Sequence, residues 1–192
     1  MKTSMKSLIA TGLIALSCTC SAFAAPTEEA LVNEIGQRDG FYTFYPRMPI
    51  TEFLNNWGNI PGWKYTPDPL NPPDNRRYRY DREYEITGIP VKESVTAVTY
   101  SRAGVVFSYG WTLSAKDSML IYRIGSKILK RLQQFYPDAQ KISLSIIGVN
   151  DYKPHFNPGR KDDTVYFYMV LGNDPEWPYT VALGYINPIL KL

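Results

Sequence analysis

Beyond its first 24 residues the chain has no cysteine: of 192 residues only Cys18 and Cys20 are thiols, and both lie in that N-terminal segment. Thiol nucleophiles, thiolate metal sites and disulfide staples are thereby excluded from the remainder. Histidine is nearly as scarce, with His155 standing alone. No paired-histidine spacing, H-E-x-x-H helix or G-x-S-x-G elbow occurs, so the sequence lacks the signatures of zinc and serine hydrolases. There is no Asn-x-Ser/Thr glycosylation acceptor, and no repeat or low-complexity tract. An excess of charge is missing too. The 21 Lys and Arg fall to 19 once Lys2 and Lys6 are set aside, against 18 Asp and Glu. A balance so close to neutral selects no class of partner, and nucleic acid is not expected as one.

What the N-terminus does have is order. Lys2 and Lys6 precede the apolar stretch Leu8-Ile9-Ala10-Thr11-Gly12-Leu13-Ile14-Ala15-Leu16, and Ala22-Phe23-Ala24 follows ahead of Ala25-Pro26. That sequence of basic, apolar and A-x-A regions predicts a cleavable export signal over residues 1–24. As a helix the apolar stretch reaches roughly 14 Å, about half of a bilayer core, too short for a lasting anchor. The residues before Cys18 and Cys20 also lack the Leu, small, Gly/Ala order that precedes a lipid-modified cysteine. The expectation is a soluble mature chain, residues 25–192, without stable membrane insertion and located in the periplasm or secreted. The missing disulfides and sequons favour a bacterial envelope over a eukaryotic exterior.

The mature part is rich in rings, with all 15 tyrosines and all four tryptophans. Tyrosine suits strands and recognition surfaces because it buries area and keeps a polar tip. Residues 26–38 predict a short helix capped by Thr27, with Leu31, Val32 and Ile35 on one side. A second is expected from Ile50 or Thr51 to Trp57. From Gly58 to Asn75, the prolines 61, 67, 69, 72 and 73 argue against any ladder or helix, which leaves a long loop holding Trp63 and Tyr65. Residues 77–86 alternate Tyr78, Tyr80, Tyr84 and Ile86 with Arg77, Arg79, Asp81, Glu83 and Glu85, and Arg82 breaks the pattern on the apolar side. Residues 94–100 and 105–113 read as a hairpin whose second strand puts Val105, Phe107, Tyr109 and Trp111 on one face. Ser118 to Tyr136 is the clearest helix, capped by Asp117 or Ser118 and stopped by Pro137. Its far face shows Arg123, Lys127, Lys130 and Arg131 without acids close by in sequence. Strands are expected at 141–149, 164–171 and 179–186. The sum is a single α+β domain, an antiparallel sheet of about five to six strands packed on that long helix, with short N-terminal helices.

Each candidate site has a plainer reading beside it. His155 lies in a polar segment with Asp151, Arg160, Asp162 and Asp163, where a base or metal ligand would fit; a solvated loop histidine is the default. Glu83, Glu85 and Glu93 are the available carboxylates for glycoside hydrolysis, and a solvated sheet face explains them equally well. The run Arg76-Arg77-Tyr78-Arg79-Tyr80 has cations and rings for an acidic protein or a sugar, or forms a cross-strand ion-pair ladder. The binding candidates are Trp63, Tyr65, Arg77, Tyr78, Arg79, Tyr80, His155 and Arg160; no catalytic set, metal site or cofactor is expected. The leading expectation is an exported binding protein with a protein partner, such as an immunity or inhibitor protein or an accessory subunit of an envelope machine. A small envelope hydrolase acting on glycan is the first alternative. A carbohydrate-binding module using Trp63, Tyr65, Trp111 or Trp177 is the second.

Overall fold

The computed structural model describes residues 26–37, 40–42, 44–45, 47–58, 64–67, 75–100, 103–135, 146–147 and 164–186; of these, the side chains of 57–58, 64–67, 75, 100, 146–147, 164–165 and 186 are not described. Among the described residues there are three helices and seven strands: α1 Glu28–Ile35, α2 Ile50–Gly58, β1 Lys64–Pro67, β2 Asn75–Ile86, β3 Ile89–Tyr100, β4 Val105–Ala115, α3 Ser118–Phe135, β5 Ile146–Ile147, β6 Thr164–Leu171 and β7 Tyr179–Ile186. The strands make one sheet in the order β1-β2-β3-β4-β7-β6-β5. Pairing is antiparallel from β1 across to β6, which gives six antiparallel strands, and β5 adds to β6 in parallel. This is the expected single α+β domain.

Local chemistry sets these elements. The Thr27 side chain accepts from the Ala30 N–H at 3.2 Å and opens α1. Asp117 Oδ1 accepts from the Leu120 N–H at 2.9 Å and opens α3. Both caps satisfy a donor that a helix start leaves without a partner. β2 and β3 join through Thr87-Gly88, both at positive φ (52° and 78°), the geometry of a two-residue turn that follows the twist of the strands. That turn fixes the register, Ile86 opposite Ile89 and hence Arg82 opposite Glu93.

Two expectations need correction. The proline-rich stretch does contain a ladder: β1 pairs Lys64 with Asp81 through Pro67 with Tyr78. Its one proline is the last residue of an edge strand, a position where a missing N–H costs little. Val105 and Phe107 do not share a face with Tyr109 and Trp111. The β3/β4 register jumps from Val98↔Ser108 to Thr99↔Val106, so Phe107 is the extra residue of a bulge and Val106 takes the core position.

All three helices lie on one side of the sheet. α3 packs on β4, β6 and β7, with Leu120, Ile121, Ile124, Ile128, Leu129 and Leu132 buried. Each such side chain stabilises the fold by about 1.5–3 kcal/mol relative to exposure. α1 adds Leu31, Val32 and Ile35, and Phe53 of α2 meets Tyr78 edge-on at 5.5 Å. From the strands come Tyr78, Tyr80, Val95, Tyr109, Trp111, Leu113, Phe167, Met169, Val181, Leu183 and Tyr185. No helix among the described residues is long and apolar enough to cross a membrane.

Candidate functional site

Among the described residues, polar side chains gather on both faces of the sheet. On the helix side, Arg82 and Glu93 sit opposite each other in an otherwise apolar layer. Glu93 has 0% exposure. Its Oε1 accepts from Trp111 Nε1 at 2.6 Å and from the Tyr42 hydroxyl; its Oε2 accepts from Arg82 Nε and Nη2, both at 2.7 Å. Arg82 Nη2 also donates to the Tyr42 hydroxyl at 3.2 Å, and its Cζ stands 4.8 Å from the centre of the Tyr84 ring.

The electrostatics follow from the closeness of these groups. Burial first, then the Glu93 charge, pushes the Tyr42 and Tyr84 phenols above their ordinary values. Burial alone would lower Arg82, but Glu93, Tyr42 and Tyr84 outweigh it and keep the guanidinium charged. A carboxylate with four donors around it and no path to solvent has neither a free lone pair nor a substrate. This cluster ties Tyr42, held at φ 53°, to the sheet. It does not supply the accessible acid or base that glycoside hydrolysis requires, so Glu93 is withdrawn from that role.

The other face has no described helix on it. Reading across the strands, the residues there form rows: Arg77, Val98, Ser108; then Arg79, Thr96, Gly110, Gly184, Tyr166; then Asp81, Ser94, Thr112, Ala182, Tyr168. The small side chains in the middle leave a trough of about 260 Å³, walled by Arg77 on β2 and by Tyr166 and Tyr168 on β6. With strands about 4.8 Å apart, β2 and β6 stand about 19 Å apart across it.

Glycine builds one wall. A Cβ on Gly184 would fall 1.8 Å from Cζ of Tyr166, and one on Gly110 would fall 2.8 Å from its hydroxyl. The Tyr166 ring therefore lies flat over two strands because both lack side chains there. Tyr168 stacks beside it, centroids 6.0 Å apart and planes 20° from parallel.

Among the residues proposed from sequence, Arg77 lines the trough and Arg79 lies on the same face, half exposed, with its Nε 3.0 Å from each Asp81 oxygen. Tyr78 and Tyr80 are 9% and 8% exposed and point into the core, away from the trough. Tyr65 stands opposite Tyr80 in β1. Trp63, His155 and Arg160 lie outside the described residues, as do Asp151, Asp162 and Asp163. Trp111 is fully buried, its indole N–H given to Glu93, so it cannot serve as a sugar platform. Trp177 is half-buried in the turn between β6 and β7.

The expected ladder of arginines and acids is formed only in part. Arg79 pairs along its own strand and Arg82 pairs across, inside the core. The basic face of α3 is not without acids either, since Glu28 of α1 reaches Arg123 at 2.9 Å and Lys127 at 2.8 Å. Among the described residues no three His, Cys, Asp or Glu side chains gather as a metal site.

Tyr166, Tyr168, Thr96, Ser108 and Thr112 were missed from sequence. The signal was available in the alternation of Tyr166 and Tyr168 against Phe167 and Met169, together with two glycines inside predicted strands. Compared with protein-family models, curated proteins and solved structures, the chain matches none.

Proposed function

We propose that the chain is an exported, non-catalytic binding protein of the bacterial envelope, periplasmic or secreted, that grips a macromolecular partner with the face of its sheet opposite the three described helices. Inhibitor or immunity proteins and accessory subunits act through such occupancy. The observation that carries the reading is the trough, in which Tyr166, Tyr168 and Arg77 stand over a floor of small side chains. Tyrosine and arginine dominate binding hot spots, and a sheet that already holds them in place loses little freedom on association. The reading is favoured over hydrolysis because Glu93, the carboxylate most crowded by donors among the described residues, is sealed from solvent.

The test is capture from an envelope extract by the immobilised mature chain. A protein partner recovered in stoichiometric amount by the native chain and by Lys130→Glu, and lost by Thr112→Trp, which fills the trough, is the expected result. Retention by Thr112→Trp, or recovery of glycan alone, contradicts it.

A further inference from the structure

The outer edge of β2 is covered over only part of its length. β2 runs for 12 residues, and β1 pairs with Tyr78 to Asp81 of it, so the stretch 82–86 has no described strand beside it. The turn at its end decides which main-chain groups face outward. Ile86 and Ile89 close a two-residue turn and bond to each other, so along β2 the even-numbered residues bond to β3 and the odd-numbered ones turn their N–H and C=O away from it. Pro67 agrees with this phase, because it lies opposite Tyr78, an even position where β1 needs no N–H. Glu83 and Glu85 therefore hold outward N–H and C=O groups that no strand among the described residues takes up.

The side chains give this edge a sign. Glu83 and Glu85 are exposed on the face away from the helices, and among the described residues neither enters an ion pair or a side-chain hydrogen bond. Lys92 stands across from Glu83 on β3 without joining it. Between the two acids Tyr84 turns to the helix side, half-buried, with the Arg82 guanidinium over its ring.

Such an edge excludes as well as admits. Charges on an edge strand keep unwanted strands from pairing with it. Were a second copy of this chain to pair antiparallel about Tyr84, Glu83 of each copy would face Glu85 of the other, and like charges directly opposite are destabilising. A strand with Lys or Arg opposite Glu83 and Glu85 meets attraction instead, and a β-branched residue between them packs across from the Tyr84 ring.

We propose that the 82–86 edge takes up an extended basic segment of a protein partner by β-strand addition, its main chain bonded to Glu83 and Glu85 and its cations set against their carboxylates. The probes are end-blocked peptides: Val-Lys-Val-Lys-Val, Val-Glu-Val-Glu-Val, and two N-methylated forms of the first, one methylated at both lysines and one at the central valine. The lysines oppose Glu83 and Glu85 and so supply the bonding N–H groups, whereas the central valine opposes Tyr84 and points its N–H outward. Each peptide is titrated at low salt into the ¹⁵N-labelled mature chain while the amides of Glu83 and Glu85 are followed. The basic peptide is expected to shift both amides saturably, as is the form methylated at valine. Methylation at the lysines should abolish the response. Binding should weaken about tenfold in Glu83→Gln with Glu85→Gln, and Glu83→Lys with Glu85→Lys should prefer the acidic peptide. Absence of a saturable shift, an equal response to the acidic peptide, or binding that survives methylation of the lysines would each overturn the proposal. So would shifts of Glu83 and Glu85 that follow protein concentration without peptide, the mark of a second copy on this edge. The edge lies apart from the trough, and its failure to bind would leave the capture experiment above unaffected.

Discussion

On the helix side of the sheet, Arg82 faces Glu93, whose two oxygens accept from Arg82, Trp111 and Tyr42 with no solvent at the carboxylate. One residue away and on the other side, Asp81 is held by Arg79 and Ser94, with the Arg79 side chain 49% exposed. The chemistry is the same and the surroundings differ. Inside, an ion pair is a constraint: desolvation makes it a poor source of net stability but makes either partner alone intolerable. Outside, water screens the pair, and its contribution to stability is small. A strand with period two thus splits the run 76–82 into a set that faces the helices and a set that faces away from them.

The largest break in that comparison is Glu93→Leu. It leaves Arg82 charged and buried and takes the acceptor from Trp111 and Tyr42, so urea denaturation should show a loss of about 3–5 kcal/mol. The double variant Arg82→Met with Glu93→Leu should regain a large part of it. If the double variant is as unstable as the single, an unpaired charge is not the cause.

Gly184→Ala is next. A Cβ placed 1.8 Å from the Tyr166 ring must displace it, at a cost of about 1–3 kcal/mol. The pair Gly184→Ala with Tyr166→Ala should remove most of that cost. Thermal unfolding of the three variants decides between ring displacement and a backbone effect.

The smallest effect is at Glu28. Burial pushes its carboxyl up, but hydrogen bonds and charge from Lys127 and Arg123 outweigh this and hold it below the ordinary value of 4.5. A depressed folded pKa contributes stability that is complete above the unfolded value and disappears as acid takes the pH down through the folded value. With both cations nearly half exposed, Glu28→Gln should cost no more than about 0.5 kcal/mol at neutral pH and low salt. The difference from the native chain should close in acid or at high salt; a difference that persists at pH 2 would exclude the ion pairs as its source.

Where local rules act alone, the sequence was readable. Asp117 before Leu120 and Ile121 marks the start of α3, and the limits of β6 and β7 follow from their flanking polar and proline residues. Even the buried pair was within reach, because Thr87-Gly88 fixes the hairpin register and leaves Arg82 and Glu93 as the lone charges on the apolar sides of adjoining strands. Long-range choices were not readable. Nothing near Phe107 announces that it will be the unpaired residue of a bulge, since this depends on how β3 meets β4. β1 was obscured because its proline falls at the one strand end that tolerates it. The trough was the hardest to see. It needs β4 and β7 side by side to bring Gly110 opposite Gly184, a pairing of strands that α3, β5 and β6 separate in sequence.

The proposal that the face opposite the described helices does the binding is tested most directly by site-specific photocrosslinking in the envelope. A benzophenone amino acid replaces Thr112 in the trough floor in one chain and Lys130 on the outer side of α3 in another. Crosslinking to a discrete protein from position 112 and none from 130 is the predicted result. The same adduct from 130 with nothing from 112 would put the partner on the helices and contradict the account.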